Sequence, residues 1–164
     1  AQKPVVCKMN GSAMGGGLGL VAACTFAVAP ADAKLGTPEV DVGLFPMMIM
    51  AVLARLMPRR RLLQMMLLGE KLSAEEALAV GLVNRVVPPG ELDAATNELV
   101  TKLASQSPTA LRLGLRAFAE QDDMDLAAAL PLLRGKLGEI LGTDDAREGL
   151  LAFFEKRAPR WSGS

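Results

Sequence analysis

The sequence predicts an α/β fold whose first half mixes strands and helices and whose second half is helical. Two observations carry this prediction. The first half contains short β-prone segments separated by glycine turns and helix-length apolar runs, whereas residues 91–157 show helical spacing without β-rich runs. The chain has 164 residues, enough for a sizeable core. We therefore expect one main core followed by a helical region.

The opening elements predict a parallel βαβ unit. Residues 4–9 (PVVCKM) are β-prone and almost continuously apolar, as in a strand that is buried on both faces. Three consecutive glycines, residues 15–17, precede an apolar run of helix length over residues 18–24. Residues 25–29 (TFAVA) then predict a second strand. A strand, a glycine turn, a helix and a strand in this order form a βαβ unit.

Short strands and helices alternate through the middle of the chain. Ser73, with Glu76 three residues later, matches the capping-box pattern and predicts a helix that ends at Gly81. The other segments predicted here are, in order, a strand and loop over 34–42, helices over 45–55 and 59–68, and a strand over 82–87.

Beyond the turn Pro88-Pro89-Gly90 the sequence becomes helical. The predicted helices cover residues 91–105, 108–120, 125–141 and 144–157. They carry Leu and Ala on more than one face, which is typical of helices that pack against a neighbouring subunit. We therefore predict two regions, an α/β core over residues 1–87 and a helical oligomerisation region over residues 88–164.

Composition excludes several kinds of function. Lys and Arg together number 18, as do Asp and Glu, so no overall basic charge favours nucleic acid. No apolar run reaches the ~20 residues of a membrane span, and the opening AQKPVV lacks the features of a secretory signal. We therefore expect a cytoplasmic protein that binds neither nucleic acid nor membranes.

The residue types that are missing restrict the chemistry. The chain has no His and no Tyr, so Ser-His and Cys-His nucleophiles and most zinc sites are excluded. Cys7 and Cys24 lack metal-ligand spacing and are expected to be reduced thiols in the core rather than a disulfide. We expect no metal and no cofactor, and proton transfer must depend on carboxylates, lysines or backbone dipoles.

The glycine turn over residues 15–17 and Glu39 are the candidate functional features. Glycine lets a ligand approach the backbone, and a helix start directs free N–H groups and partial positive charge outward. The turn can therefore hold a phosphate or an oxyanion, or it can serve tight packing alone; it lacks the GxGxxG spacing of dinucleotide sites. Glu39 follows Pro38 among apolar residues, which favours a carboxylate that acts as a base.

Several motifs in order give the chain a family resemblance. Residues 5–46 read VVCKMNGSAMGGGLGLVAACTFAVAPADAKLGTPEVDVGLFP, and the pattern continues in LGE (68–70), SAEEA (73–77), GLV (81–83) and FFEKR (153–157). This order resembles the crotonase (enoyl-CoA hydratase/isomerase) family over essentially the whole chain. The resemblance implies a spiral of ββα turns followed by helices that assemble trimers or hexamers. It also implies that about the first third of the usual chain precedes this segment.

The resemblance also assigns roles. It implies acyl-CoA substrates, with coenzyme A as part of the substrate, and an enolate held by two backbone N–H groups. Gly16 would supply one N–H group, the other would come from the part that precedes this segment, and Glu39 would be the catalytic acid/base. The residues that the resemblance places near substrate are Gly15, Met14, Pro38, Met47, Phe153 and Lys156.

Two departures from the family pattern bear on the reaction. Typical hydratases carry a second glutamate where this chain has Gly19, and dienoyl isomerases carry an aspartate where it has Met47. The residues therefore favour isomerase-like proton transfer by Glu39 within the hydratase/isomerase family. A non-catalytic acyl-CoA-binding or assembly subunit is the alternative, and an RNA-binding relative is a third hypothesis that the neutral charge disfavours.

Overall fold

The computed structural model describes residues 2–164, which form two compact units. The first unit spans Val5–Val100 and contains all the described strands. The second contains Thr101–Ser164 together with the residues up to Pro4, and it is helical. The division falls within one helix, Leu92–Ala104. The predicted domains, residues 1–87 and 88–164, stay a prediction.

A parallel sheet in the first unit confirms the predicted βαβ unit. Its strands are β1 (Val6–Lys8), β3 (Phe26–Pro30) and β6 (Arg85–Val87), in the order β1-β3-β6. Both pairings are parallel, with Val6 opposite Phe26 and Val28 opposite Arg85. The helix α1 (Gly16–Ala23) lies between β1 and β3 in the chain.

A second sheet consists of β2 (Ala13–Met14), β4 (Lys34–Gly36) and β5 (Lys71–Ser73). β2 pairs parallel to β4, with Met14 opposite Gly36, and β5 pairs antiparallel to β4. The sequence did not predict β2 and β5, because β2 lies in the glycine-rich segment and β5 among polar residues before the capping box, outside the β-prone runs that predicted β1, β3 and β6. This sheet places the end of β2, and hence the glycine turn, beside the segment that follows β4.

The remaining elements of the first unit agree closely with the sequence, with one exception. The helices are α2 (Met47–Leu56), α3 (Arg59–Leu68) and α4 (Ala74–Ala79), followed by a short 3₁₀ turn (Pro89–Glu91) and the start of α5 (Leu92–Ala104). The capping box is confirmed, because Glu76 N donates to Ser73 Oγ and Ser73 N donates to Glu76 Oε2. Pro38–Val42, predicted as loop, is a 3₁₀ helix that ends at Gly43.

The core of the first unit joins the two sheets to the helices. Its fully buried large side chains include Leu18 of α1, Leu35 of β4, Leu53 of α2, Met66 of α3 and Leu72 of β5. Burial of each such side chain is worth ~1.5–3 kcal/mol relative to exposure. A smaller cluster of Val28, Val87, Leu92 and Ala95 packs α5 against β3 and β6.

The helical unit continues with α6 (Pro108–Gln121), α7 (Leu126–Leu141) and α8 (Asp144–Glu155), close to the predicted bounds. Asp145 is 2% exposed and forms hydrogen bonds with the C-terminal residues. Its carboxylate accepts hydrogen bonds from the Ser107 and Ser162 hydroxyls and from the N–H groups of Ser162 and Gly163. Trp161 Nε1 donates to Ser105 O.

Large apolar side chains are exposed along these helices. They are Phe118, Leu126, Leu130, Leu137, Leu141, Leu150, Leu151, Phe153 and Phe154. Within residues 2–164, no helix combines the length and the apolar character that crossing a membrane requires.

Candidate active site

The glycine turn presents backbone N–H groups at the start of α1. Gly15 N donates to Gly36 O at 2.9 Å, which fixes the turn to β4. Gly15 has φ 52° and ψ −126°, a conformation that glycine adopts without the strain that a Cβ causes. The first helical hydrogen bond runs from Gly19 N to Gly15 O, so the N–H groups of Gly16 and Gly17 precede it and need other partners. Both residues are exposed.

Glu39 lies directly beside this turn. It is the second residue of the 3₁₀ helix Pro38–Val42, and Leu44 N donates to its carbonyl oxygen at 2.9 Å. A Cβ added to Gly15 would lie 3.0 Å from Glu39 Oε1, so the carboxylate packs against the glycine backbone. Glu39 Oε2 is buried, and the described residues give it no hydrogen-bond partner. Its lone pairs are therefore available to a proton.

The two features together support one kind of chemistry. The start of α1 carries about half a positive charge and free N–H donors, which stabilise an oxyanion. An unpartnered carboxylate next to them can take a proton from a carbon whose negative charge passes to that oxyanion. The arrangement therefore suits removal of a proton adjacent to a carbonyl group.

The structure brings Met14 and Pro38 to the same region. Met14 ends β2 immediately before the glycine turn, and its Sδ lies 3.4 Å from the point where a Cβ on Gly36 would sit. Pro38 begins the 3₁₀ helix that carries Glu39. Met47 is the first residue of α2 and is 63% exposed. The substrate-binding roles of these residues stay predictions.

Phe153 and Lys156 belong to the helical unit. Phe153 is 78% exposed and meets Phe154 edge to face, with ring centroids 6.0 Å apart. Lys156 follows α8 with φ 54°, in the left-handed conformation that ends a helix, and it is exposed. Their roles near substrate stay predictions.

Sequence reasoning missed two residues near the glycine turn. Thr37 is fully buried directly before Pro38, and its hydroxyl lacks a hydrogen-bond partner among the described residues. Ile49 of α2 contacts the backbone of Gly19: a Cβ there would lie 2.4 Å from Ile49 Cγ2. The signal for the second contact was present, because a glycine inside a helix often marks the close approach of a neighbour.

Metal sites and the two cysteines were the other candidate features. Within residues 2–164, no group of three or more Cys, Asp or Glu side chains is placed to hold a metal ion. Cys7 and Cys24 are free and half-buried. Burial, and then the neighbouring Cys24 thiol, raise the pKa of Cys7 above its ordinary value, so its thiol form is favoured.

Comparison with known proteins places these features in a family. The family model described as enoyl-CoA hydratase/isomerase matches residues 1–164. The enoyl-CoA hydratase domain-containing protein 3, mitochondrial, of Homo sapiens is 41% identical over 159 residues, which cover 97% of this chain and 52% of that protein. The short-chain-enoyl-CoA hydratase of Clostridium acetobutylicum is 34% identical, over 95% of this chain and 60% of that protein. The chain thus spans about half the length of the first of these relatives.

Solved structures agree with the sequence relatives. The crystal structure of the human enoyl-CoA hydratase domain-containing protein 3 superposes with a TM-score of 0.94 at 40% identity, covering 98% of this chain and 63% of that one. An enoyl-CoA hydratase of Mycobacterium smegmatis gives 0.95 at 34% identity, covering 98% and 62%. The predicted fold class and resemblance are confirmed: this chain has part of the crotonase fold and belongs to the enoyl-CoA hydratase/isomerase family.

Proposed function

We propose that the protein moves a proton between the α and γ carbons of an enoyl-CoA thioester, through an enolate held at the glycine turn. The observation that carries this proposal is the Glu39 carboxylate, which packs against Gly15 with its buried Oε2 unpartnered among the described residues. The enoyl-CoA substrates in the names of relatives such as the short-chain-enoyl-CoA hydratase support the choice of thioester.

In this mechanism, Glu39 takes a proton from the γ carbon, and the electrons of that C–H bond pass through the conjugated system to the thioester oxygen. The Gly16 N–H donates to this oxygen while it is negative, helped by the partial positive charge at the start of α1. Glu39 then returns the proton at the α carbon, the double bond has moved, and no water is consumed. A second N–H donor is expected from outside residues 2–164, and one such donor is worth ~10²–10³ in rate.

The test is Glu39→Gln in the complete gene product. This variant keeps the shape of the side chain but cannot accept the proton, so we expect kcat for interconversion of 2-enoyl and 3-enoyl thioesters to fall by ~10²–10⁴. The dissociation constant of a CoA ester should stay within a few-fold. Asp41→Asn is the matched control, because Asp41 is an exposed carboxylate two residues further on that packs against Gly69 instead. Equal turnover by wild type and Glu39→Gln would refute the role of Glu39.

A non-catalytic acyl-CoA-binding or assembly subunit is the alternative function. The exposed apolar side chains of α6 to α8, Phe153 and Phe154 among them, favour it because such surfaces mark sites of association. Tight binding of a CoA ester by the complete gene product, without turnover of either thioester, would establish the alternative. The same surfaces support the proposal of a homotrimer or hexamer, which is compatible with both functions. A cytoplasmic location and the absence of a separate cofactor are also proposals.

A further inference from the structure

Position 19 of α1 is closed to any side chain. A Cβ added to Gly19 would lie 2.4 Å from Cγ2 and 3.2 Å from Cβ of Ile49, and real Cβ atoms do not approach other atoms so closely. By contrast, a Cβ on Gly16 or Gly17 meets nothing within 4 Å. Among the glycines of α1, the closure is therefore specific to Gly19.

Ile49 is held in this position by its surroundings. It packs against the core cluster that contains Leu18 of α1 and Leu53 of α2, and both of these leucines are fully buried. Isoleucine is branched at Cβ, so its χ1 angle has few alternatives within a helix. A side chain at position 19 would thus have to displace the Ile49 side chain or the helix that carries it.

The closed position lies close to the Glu39 carboxylate. Gly19 N donates to Gly15 O at 3.2 Å, so position 19 lies about 6 Å along the helix from the residue against which Glu39 packs. α1 contains no titratable side chain, and the only one in α2 is Arg55, which donates to Ala51 O. α1 and α2 therefore provide no second carboxylate that could transfer a proton together with Glu39.

We infer that Ile49 is a specificity-determining residue that limits this site to chemistry with a single carboxylate. The inference rests on the proposed function. Migration of a double bond breaks one C–H bond and forms another with the same proton, so one carboxylate is sufficient. Addition of water breaks an O–H bond and forms a C–O and a C–H bond, so one proton is accepted from oxygen while another is delivered to carbon. Two groups accomplish this more readily than one.

The first experiment measures the closure itself by urea unfolding of Gly19→Ala, Ile49→Ala and the double variant. We expect Gly19→Ala to lower the unfolding midpoint in the wild-type background and to lower it by less once Ile49→Ala has removed Cγ2, because only the contact with the retained Cβ at 3.2 Å then remains. Gly17→Ala is the control. It should change the unfolding midpoint by the same amount with Ile49 and with Ala at position 49, because its Cβ meets nothing within 4 Å. A Gly19→Ala variant as stable as wild type, or equally destabilised with and without Ile49, would overturn the inference.

The second experiment measures products in the complete gene product with 2-enoyl and 3-enoyl thioesters. Wild type should move the double bond faster than it adds water, and Gly19→Glu with Ile49→Ala should raise the ratio of hydration to migration by ~10², the low end for one acid–base group. Faster hydration than migration by wild type would refute the inference. If wild type converts neither thioester, the proposed function fails, whereas the unfolding experiment still decides whether Ile49 closes position 19.

Discussion

Replacement of Gly15 by alanine tests whether the glycine turn holds the Glu39 carboxylate. The added Cβ would lie 3.0 Å from Glu39 Oε1, closer than most Cβ atoms approach any neighbour. The alanine would also have to adopt the backbone angles of Gly15, φ 52° and ψ −126°. Such a strained backbone costs ~1–3 kcal/mol for a residue with a side chain. We therefore expect Gly15→Ala to lower the free energy of unfolding by about that amount and to displace the carboxylate.

Gly17→Ala supplies the matched comparison two residues away. Gly17 lies within α1, and its Cβ would meet nothing within 4 Å, so alanine there should stabilise the chain by ~0.4–1 kcal/mol through the unfolded state. The two variants should thus differ by ~1.4–4 kcal/mol. Urea unfolding followed by circular dichroism measures this difference, which corresponds to ~0.5–4 M in midpoint at an m-value of ~1–3 kcal/mol/M.

The same pair of variants should separate in activity. Gly15→Ala should lose most thioester turnover because Glu39 is moved. Gly17→Ala should keep the fold and leave Glu39 in place. Equal midpoints for the two variants would refute the strain and the contact at Gly15. A destabilised Gly15→Ala with full turnover would instead show that the contact is structural and that Glu39 does not depend on it.

Two further predictions concern the helical unit. The hydrogen bond from Ser107, followed by those from the backbone of Gly163 and Ser162, lowers the pKa of Asp145 from 3.8 to about 2. Since the folded pKa is the lower one, this contribution to stability is present above about pH 4 and is lost as the pH falls towards about 2. Asp145→Asn should therefore lower the melting temperature at pH 7 and much less at pH 2.5, and a constant difference would refute the assignment. Replacing Phe153 and Phe154, which are 78% and 77% exposed, with serine should weaken self-association in sedimentation experiments. A wild type that is monomeric at micromolar concentration would contradict this prediction.

The sequence predicted long elements well because their signals are local. The capping pair Ser73 and Glu76, and the apolar spacing of the C-terminal helices, depend on neighbours within one turn, and the structure shows them within a few residues of their predicted bounds. β2 and β5 were missed because they lie outside the β-prone runs that predicted β1, β3 and β6, and only their pairing with β4 reveals them. The 3₁₀ helix Pro38–Val42 was also missed; it ends at Gly43, whose N–H donates to the carbonyl oxygens of Glu39 and Val40.

Part of the candidate site could likewise be predicted from local sequence, and part could not. The glycine turn and Glu39 were found from the sequence because glycine, proline and a lone carboxylate are visible as residue types. Their contact depends on the register between Met14 and Gly36, which no local pattern reveals. The buried hydroxyl of Thr37 and the position of Ile49 are likewise consequences of packing between distant segments.

Gly15 and Gly19 lie four residues apart and admit different neighbours. At Gly15 the missing side chain leaves room for a carboxylate, and at Gly19 it leaves room for an isoleucine. If Glu39 transfers the proton, the first glycine permits the chemistry and the second restricts it, because the space that a second acid would need is filled by Ile49. A chain of this fold that carries a side chain at position 19 must therefore have a smaller residue at position 49 or hold α2 further from α1.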